Sequence, residues 1–261
     1  MHGVEPHVFL VGETRIIPEG LTAYLEHIGA PNWSTDAATD VEGLAEFMGR
    51  LCYRSFEPGL NPNVTRVRPN NAAHLKNIIA TGHGSVLEHS VLNFAITGVS
   101  RVFTHELVRH RAGTAISQES LRFVRLDDLG MWAPSAVRED EHIMEVFVDT
   151  FQKLEELQKM MAEHYQLDED GAQFSRKKEI TSAMRRIAPI GVSTSIGWST
   201  NIRALRHILE ARTDPSSEEE IRVVFARIGE LVQDRYPVLF SDYKIEMVNG
   251  LPWYTTQHQK V

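Results

Sequence analysis

The stretch Arg101–Phe123, RVFTHELVRHRAGTAISQESLRF, changes character halfway, and the rest of the chain is read outward from it. Its first half predicts a helix over Ser100–Arg111, with the Ser100 hydroxyl as N-cap acceptor for a free first-turn amide. On that helix Phe103 and Leu107 share one face, while Arg101, His105 and Arg109 share another at i, i+4 and i+8. The helix is expected to end in Arg109, His110 and Arg111, shortly before Gly113. A polar loop is then expected to carry Ser117, Gln118, Glu119, Ser120 and Arg122.

Upstream, Val91–Thr97 alternates as a strand does, and a short strand is expected around His7–Val11. Helical spacing predicts Val41–Tyr53, through Leu44, Phe47, Met48 and Leu51, and a second helix from Asn71 to Ala80. Downstream, a long amphipathic helix is expected over Glu139–His164, and shorter ones over Lys178–Ile187, Ile202–Arg212 and Ser217–Arg235. Gly191–Trp198, rich in Thr, Ser, Val and Ile, fits a strand. Helices dominate and strands do not alternate regularly with them, so the pattern favours an α+β fold over a doubly wound one. The loosest segments, Glu57–Asn71 and Gln166–Arg176, are expected as loops within a single domain spanning 1–261.

Bulk properties narrow the function. A chain of 261 residues with 42% hydrophobic content can bury a core without staples. One cysteine cannot form an internal disulfide, which suits a reducing cytoplasm. No run of 18 apolar residues exists, and the N-terminal apolar run is too short for a signal peptide, so a soluble, non-membrane protein is expected. A net charge of −8 weighs against nucleic acid or anionic membrane as partner, yet leaves room for a locally cationic pocket.

The cations do cluster. Arg109-His110-Arg111 at a helix end has an ordinary explanation, because positive charge offsets the helix dipole. That explanation does not cover the following Ser-Gln-Glu-Ser-Leu-Arg, whose hydroxyl, amide and guanidinium donors suit a phosphate and a planar polar base. His105-Glu106 with His110 is one residue too long for a zinc-protease HExxH motif. Five residues set two imidazoles about 140° apart on a helix, so no metal site is expected. On the helix after Asn201, a plausible N-cap, Ile202, Leu205 and Leu209 form an apolar stripe with Arg212 in line with it. Either Arg212 snorkels to water or it is buried against an anionic partner. Arg203 and His207 occupy another face, and Arg185 and Arg186 precede a strand. Cys52, near Met48 and Leu51, is expected to be a buried structural thiol.

These residues together resemble the flavin-dependent thymidylate synthases, whose signature is Arg-His-Arg, seven or eight residues, then Ser. Here eight residues separate Arg109-His110-Arg111 from Ser120. His83-Gly84-Ser85-Val86-Leu87-Glu88-His89, Leu51–Ser55, Arg185 before Pro189, Asn201-Ile202-Arg203 and Arg212-Thr213-Asp214 also look like blocks of that family. The resemblance runs from about Ala45 to Ile221. It implies an antiparallel or mixed sheet flanked by long helices, with a smaller helical part. It implies reductive methylation of dUMP to dTMP, with methylenetetrahydrofolate as carbon donor and NADPH as reductant acting through FAD. By the same resemblance His83, Ser85, Arg109, His110, Arg111, Gln118, Asn201, Ile202, Arg203 and His207 would hold FAD. Glu106, Arg109, Gln118, Glu119, Ser120, Arg122, Arg185 and Arg212 would surround dUMP, with Arg212 as the catalytic group at the pyrimidine ring. A homotetramer with shared active sites is implied as well. Three positions depart from the family pattern: Glu106 where Gln is expected, Phe123 where Tyr is common, and Ser216 where His is common. Two rival readings stay open, a uridylate methylase of the same fold and a nucleotide-binding protein without catalysis.

Overall fold

The computed structural model describes every residue except 124, 125, 127, 170–172 and 260; residues 170–172 of the connection expected at 166–176 therefore lie outside the described residues. In chain order the elements are β1 (His2–Gly3), β2 (His7–Glu13), α1 (Pro18–Ile28), α2 (Asp40–Tyr53), α3 (Asn71–Ala80), β3 (Val91–Ser100), α4 (Arg101–Leu107), β4 (Thr114–Gln118) and β5 (Gly130–Met131). There follow α5 (Ser135–Arg138), α6 (Glu141–His164), α7 (Phe174–Met184), β6 (Ser193–Asn201), α8 (Ile202–Thr213), α9 (Glu219–Arg235), β7 (Lys244–Val248) and β8 (Leu251–Thr255). Short 3-10 turns occupy Gly84–Glu88 and Arg185–Ile187.

The centre is a four-stranded antiparallel sheet in the order β2-β3-β6-β4. Alternation in β3 and β6 buries Leu92, Phe94, Ile96, Ile196 and Trp198 on one face. Against that face α8 and α9 lay Ile202, Leu205, Leu209, Ile221, Val224 and Phe225, and the Trp198 ring meets Phe94 and Phe225 at 5.6 Å each. The α+β expectation holds. The opposite sheet face is open, with small or polar residues at its centre (Ser195, Gly197, Ser199, Ser117) and exposed Phe9 and Val11 at its edge. A satellite core of Leu129, Met131, Val137, Phe151 and Val192 lies under α5 and α6, and another of Ala162, Leu167, Ile180 and Met184 joins α6 to α7. Among the described residues no helix is long and apolar enough to cross a membrane.

Several local expectations are corrected. The helix from Ser100 stops at Leu107, not Arg111. The amides of Arg109 and His110 turn to Glu106 and Leu107, three residues back, and the backbone is claimed by sheet pairing from Thr114 onward. The polar loop therefore begins with a strand, β4, and the angle between His105 and His110 is not set by a continuous helix. In α2 the buried face is the charged one. Glu46 and Arg50 are 1% and 2% exposed, while Phe47 and Met48 are only half-buried and Leu51 is exposed. Arg50 reaches Glu46 through Nε (2.8 Å) and Nη2 (2.7 Å), and also donates to the carbonyls of Ser55 and Arg68. Glu46 is completed by Thr35 and Asn71. Each of the three guanidinium nitrogens donates at least once, and such satisfaction is what lets an ion pair tolerate burial. This rotation of α2 leaves Cys52 exposed, against expectation.

Candidate active site

The end of α4, the entry to β4 and the start of α8 converge because sheet pairing aligns them. Thr114 lies opposite Thr200 in the β4–β6 ladder, and the amide of Asn201 donates to the carbonyl of Gly113 at 2.9 Å. Asn201 is both the last residue of β6 and the N-cap of α8, its Oδ1 accepting from the amide of Ala204 at 2.8 Å. Gly113 is required there. Its φ is +70°, and a Cβ would sit 2.4 Å from the side-chain Nδ2 of Asn201.

Around this junction lies an open cavity of about 800 Å³, lined by Arg109–Gly113, Glu88, Asn201, Arg203, Ala204, His207 and Ile208. Its charge is unbalanced. Arg203 pairs with Glu88, but the guanidinium groups of Arg109 and Arg111 have no hydrogen-bond or ion-pair partner among the described residues. Two exposed guanidinium forks on a shared cavity wall suit an anionic ligand.

Beneath the cavity wall Arg212 is pinned. Its Nε donates to His110 Nε2 at 2.7 Å, one Nη donates to Glu106 Oε2 at 2.7 Å, and the other donates to the Glu106 carbonyl at 3.2 Å. The Glu106 carboxylate thus has its cation, which accounts for the acid at this position. Burial, the Arg212 guanidinium and the neighbouring His207 hold the His110 imidazole down at about 4. His110 is therefore neutral at ordinary pH, and since Nε2 accepts from Arg212, its proton sits on Nδ1. Arg212 keeps two of its five N–H donors unengaged.

Ser85 lies in the 3-10 turn that carries Glu88 and His83 just before it, but of these only Glu88 lines the cavity. His83 stacks on Tyr53 at 5.5 Å and shares a hydrogen bond with its hydroxyl. Ile202 packs into the core and contributes no side chain to the cavity surface.

A second cationic cluster gathers at the far end of β4. The Glu119 amide and carboxylate are both tied to Ser195 of β6 (3.0 and 2.9 Å). Gln118 donates to Thr104, Ser120 accepts from the Arg122 amide, and Arg122 Nε donates to Ser182 of α7 at 3.0 Å. Arg101 donates to the Glu119 carbonyl, its Nε is buried without a partner, and Arg185 lies close enough to oppose its charge. Glu119 pairs with Ser195 and Gly113 with Asn201, six positions and about 20 Å apart along β6, so the loop after β4 lies at the opposite end of the strand from the Asn201 junction. One chain brings together Arg109, His110, Arg111, Asn201, Arg203 and His207, with Glu106 and Arg212 behind them. It does not bring Gln118–Arg122 and Arg185 to the same cavity.

Arg206, one turn before Glu210 on α8, was missed by sequence reasoning. It is fully buried, with a bidentate pair to Asp242 (2.8 and 2.7 Å), bonds to the carbonyls of Leu239 and Val261, and Tyr243 stacked at 4.9 Å. Its position on the stripe side of α8, next to Leu205 and Leu209, was the available signal. Glu220 is also buried; burial pushes its carboxyl up to about 7, and it accepts from the amide and hydroxyl of Ser100 where α4 begins.

Comparison with known proteins adds an independent line. The family described as thymidylate synthase complementing protein matches residues 35–238. A flavin-dependent thymidylate synthase of Corynebacterium diphtheriae is 34% identical over 84% of this chain and 85% of its own length. That of Mycolicibacterium vanbaalenii is 35% identical over 82% and 83%. Among solved structures, thymidylate synthase X of Helicobacter pylori with FAD and dUMP superposes with a TM-score of 0.57 at 20% identity, covering 91% of this chain and 98% of that one. A UMP/dUMP methylase of Streptomyces cacaoi bound with 5-Br dUMP gives a TM-score of 0.60 at 15% identity, over 91% and 94%. At those identities the two structures speak for the fold.

Proposed function

The chain belongs to the flavin-dependent thymidylate synthase family, and from that premise we propose that it is a cytoplasmic FAD-dependent methyltransferase converting dUMP to dTMP. Methylenetetrahydrofolate is the carbon donor and NADPH the reductant, and the whole of 1–261 acts as one catalytic domain. The observation that carries this reading is the cavity of Arg109, Arg111, Asn201, Arg203 and His207 backed by the Glu106–Arg212–His110 cluster.

FAD fits what is there. Its pyrophosphate matches the two guanidinium groups that lack partners, and Gly113 lets backbone approach where a side chain would collide with Asn201. Arg109, Arg111, Asn201 and Arg203 would hold it, with His207, Ser85 and His83 at the margins. No glycine-rich dinucleotide fingerprint is needed, because side-chain cations replace the helix N-terminus used in that motif. When bound, the flavin supplies the hydride that completes the methyl group.

The chain's own residues then do electrostatic work. Arg212, held rigid from three sides, offers its two spare N–H groups to the carbonyl edge of the pyrimidine. There they stabilise the anion formed as the ring nitrogen gives up its proton, so the ring carbon gains nucleophilicity without a thiolate. Neutral His110 adds no second positive charge beside Arg212, and the Glu106 carboxylate fixes the guanidinium plane. Gln118, Ser120, Arg122 and Arg185 supply amide, hydroxyl and guanidinium donors for the nucleotide, and Glu119 fixes their loop to the sheet.

These donors do not line the flavin cavity of the same chain, and an open sheet face with exposed Phe9 and Val11 calls for a cover. Both features support a homotetramer in which each active site joins the cavity of one subunit to the nucleotide cluster of another. The test is anaerobic turnover with FAD, NADPH, methylenetetrahydrofolate and dUMP, with thymidylate read by chromatography. Thymidylate is expected. A protein that takes up no flavin would overturn the enzyme reading, and flavin reduction without thymidylate would move the substrate to uridylate.

A further inference from the structure

Segment 174–187, α7 and the turn after it, is basic on an acidic protein. It carries Arg176, Lys177, Lys178, Arg185 and Arg186 against the single carboxylate of Glu179, in a chain of net charge −8. Arg176 is spent on Glu179 at 3.1 Å, but Lys177, Arg185 and Arg186 make no ion pair with any described residue. A solvated charged helix face would need no explanation if it stood among polar neighbours. This one stands beside exposed rings. Phe123 and Phe174, 57% and 69% exposed, stack on each other at 6.1 Å with an interplanar angle of 15°. The Lys178 ammonium lies 5.5 Å from the Phe123 ring centroid, and Ile187 and Ile190 are exposed nearby along the chain. Aromatic surface joined to cations that make no ion pair among the described residues matches a ligand that is aryl at one end and polyanionic along its length.

We propose that this patch docks the aryl-oligoglutamate tail of the folate co-substrate. The proposal rests on the thymidylate synthase reading above. The aminobenzoyl ring lies against Phe123 and Phe174, and the successive carboxylates run along Lys177, Lys178 and Arg186. The location supports that occupant. Arg122, in the cluster assigned to the nucleotide, donates to Ser182 of α7 at 3.0 Å, and Ser182 is one helical turn from Lys178. A carbon donor that must meet the nucleotide ring thus has its tail's binding surface within one turn of the nucleotide loop. Exposed ion pairs are individually weak and screened by salt, so the effect must grow with the number of glutamates and shrink with ionic strength.

The experiment is steady-state turnover with the monoglutamyl and pentaglutamyl forms of methylenetetrahydrofolate, with FAD, NADPH and dUMP saturating. The wild type is expected to show a KM about tenfold lower for the pentaglutamyl form. Raising the NaCl concentration should erode that preference in the wild type, which needs no variant to fold. The charge-reversed variant Lys177→Glu with Arg186→Glu should lose the preference while keeping kcat and the KM of the monoglutamyl form. Equal KM values in the wild type, or a preference that survives both salt and charge reversal, would overturn the proposal. A change of oligomeric state on charge reversal, seen by sedimentation, with an unchanged KM ratio would overturn it too and assign the patch to a second copy of the chain. Absence of thymidylate with either folate is the separate failure of the underlying activity.

Discussion

The two ends of the central sheet hold the same kinds of side chain and use them differently. At the Asn201 end, Gly113, Asn201 and α8 lock together through backbone bonds, and the cations face a shared concave surface. At the Ser195 end, Gln118, Glu119 and Arg122 are spent on Thr104, Ser195 and Ser182. Helix α4, about 10 Å long, starts at Arg101 beside the second cluster and stops two residues short of Arg109 of the first. A preorganised cavity can be complete in one chain, whereas a set of donors on an exposed loop waits for a surface brought to it. On the function proposed above, one end would be the cofactor half of a site and the other the substrate half.

The predictions that would break or sharpen this contrast begin with α8, where two arginines six residues apart have opposite purposes. Arg206→Ala removes a fully buried guanidinium and leaves the half-buried Asp242 without its cation, and is expected to cost about 3–5 kcal/mol, read as a large fall in Tm, before any effect on chemistry. Arg212→Ala should instead keep the fold and lower thymidylate formation by on the order of 10²–10³. If Arg206→Ala left Tm unchanged, the division between structural and catalytic arginine would fail. Gly113→Ala comes next. The left-handed backbone costs about 1–2 kcal/mol with a side chain, and the displaced Asn201 should weaken FAD binding in a fluorescence titration while leaving the Ser195 end intact.

The smallest effects are in pH, and they have opposite signs at the two ends of α4. His110 is held from its ordinary 6.5 down to about 4, so between those values the unfolded chain binds a proton that the folded chain refuses. Stability from this group is therefore lost as pH falls through that window. Glu220 is pushed from 4.5 up to about 7, so the folded chain keeps a proton that the unfolded chain releases, and stability is lost as pH rises through that window. Denaturant titrations across pH should show His110→Asn flattening the acid limb and Glu220→Gln flattening the other. His74, also held near 4 by burial, leaves some acid slope in either variant. A Glu220→Gln curve identical to wild type would contradict the burial argument.

Much of this architecture was legible because hydrophobic period and caps agree with tertiary packing. The periodic helices α2, α3, α8 and α9 start where they were expected to within two residues, and the Ser100 and Asn201 caps are made. What was not legible depends on partners distant in sequence. Nothing local says that Glu46 and Arg50 face inward, because their burial is allowed only by Thr35, Asn71, Ser55 and Arg68. That same rotation exposed Cys52. Strand β4 looked like a loop because Thr114–Gln118 gains its extended form from pairing with β6, not from its own composition. The hairpin of β7 and β8 did carry a signal, Asn249-Gly250 with both residues at positive φ between two runs of strand-forming residues, which is a favoured two-residue turn. Within the site, the residue types and their order were readable from the chain. The division into two clusters was not, because it depends on which end of β6 each one pairs with.

The most direct test of the shared-site account is subunit mixing. Arg203→Ala removes a cavity residue and Arg122→Ala removes a donor of the far cluster, and each variant alone should form almost no thymidylate. If each active site draws its two halves from different chains, mixed oligomers made from equal amounts of the two should recover roughly a quarter of wild-type turnover, since that share of sites receives two intact halves. Mixed oligomers that form and stay inactive would mean that both halves of each site belong to one chain, and the account of the two ends of the sheet would be wrong.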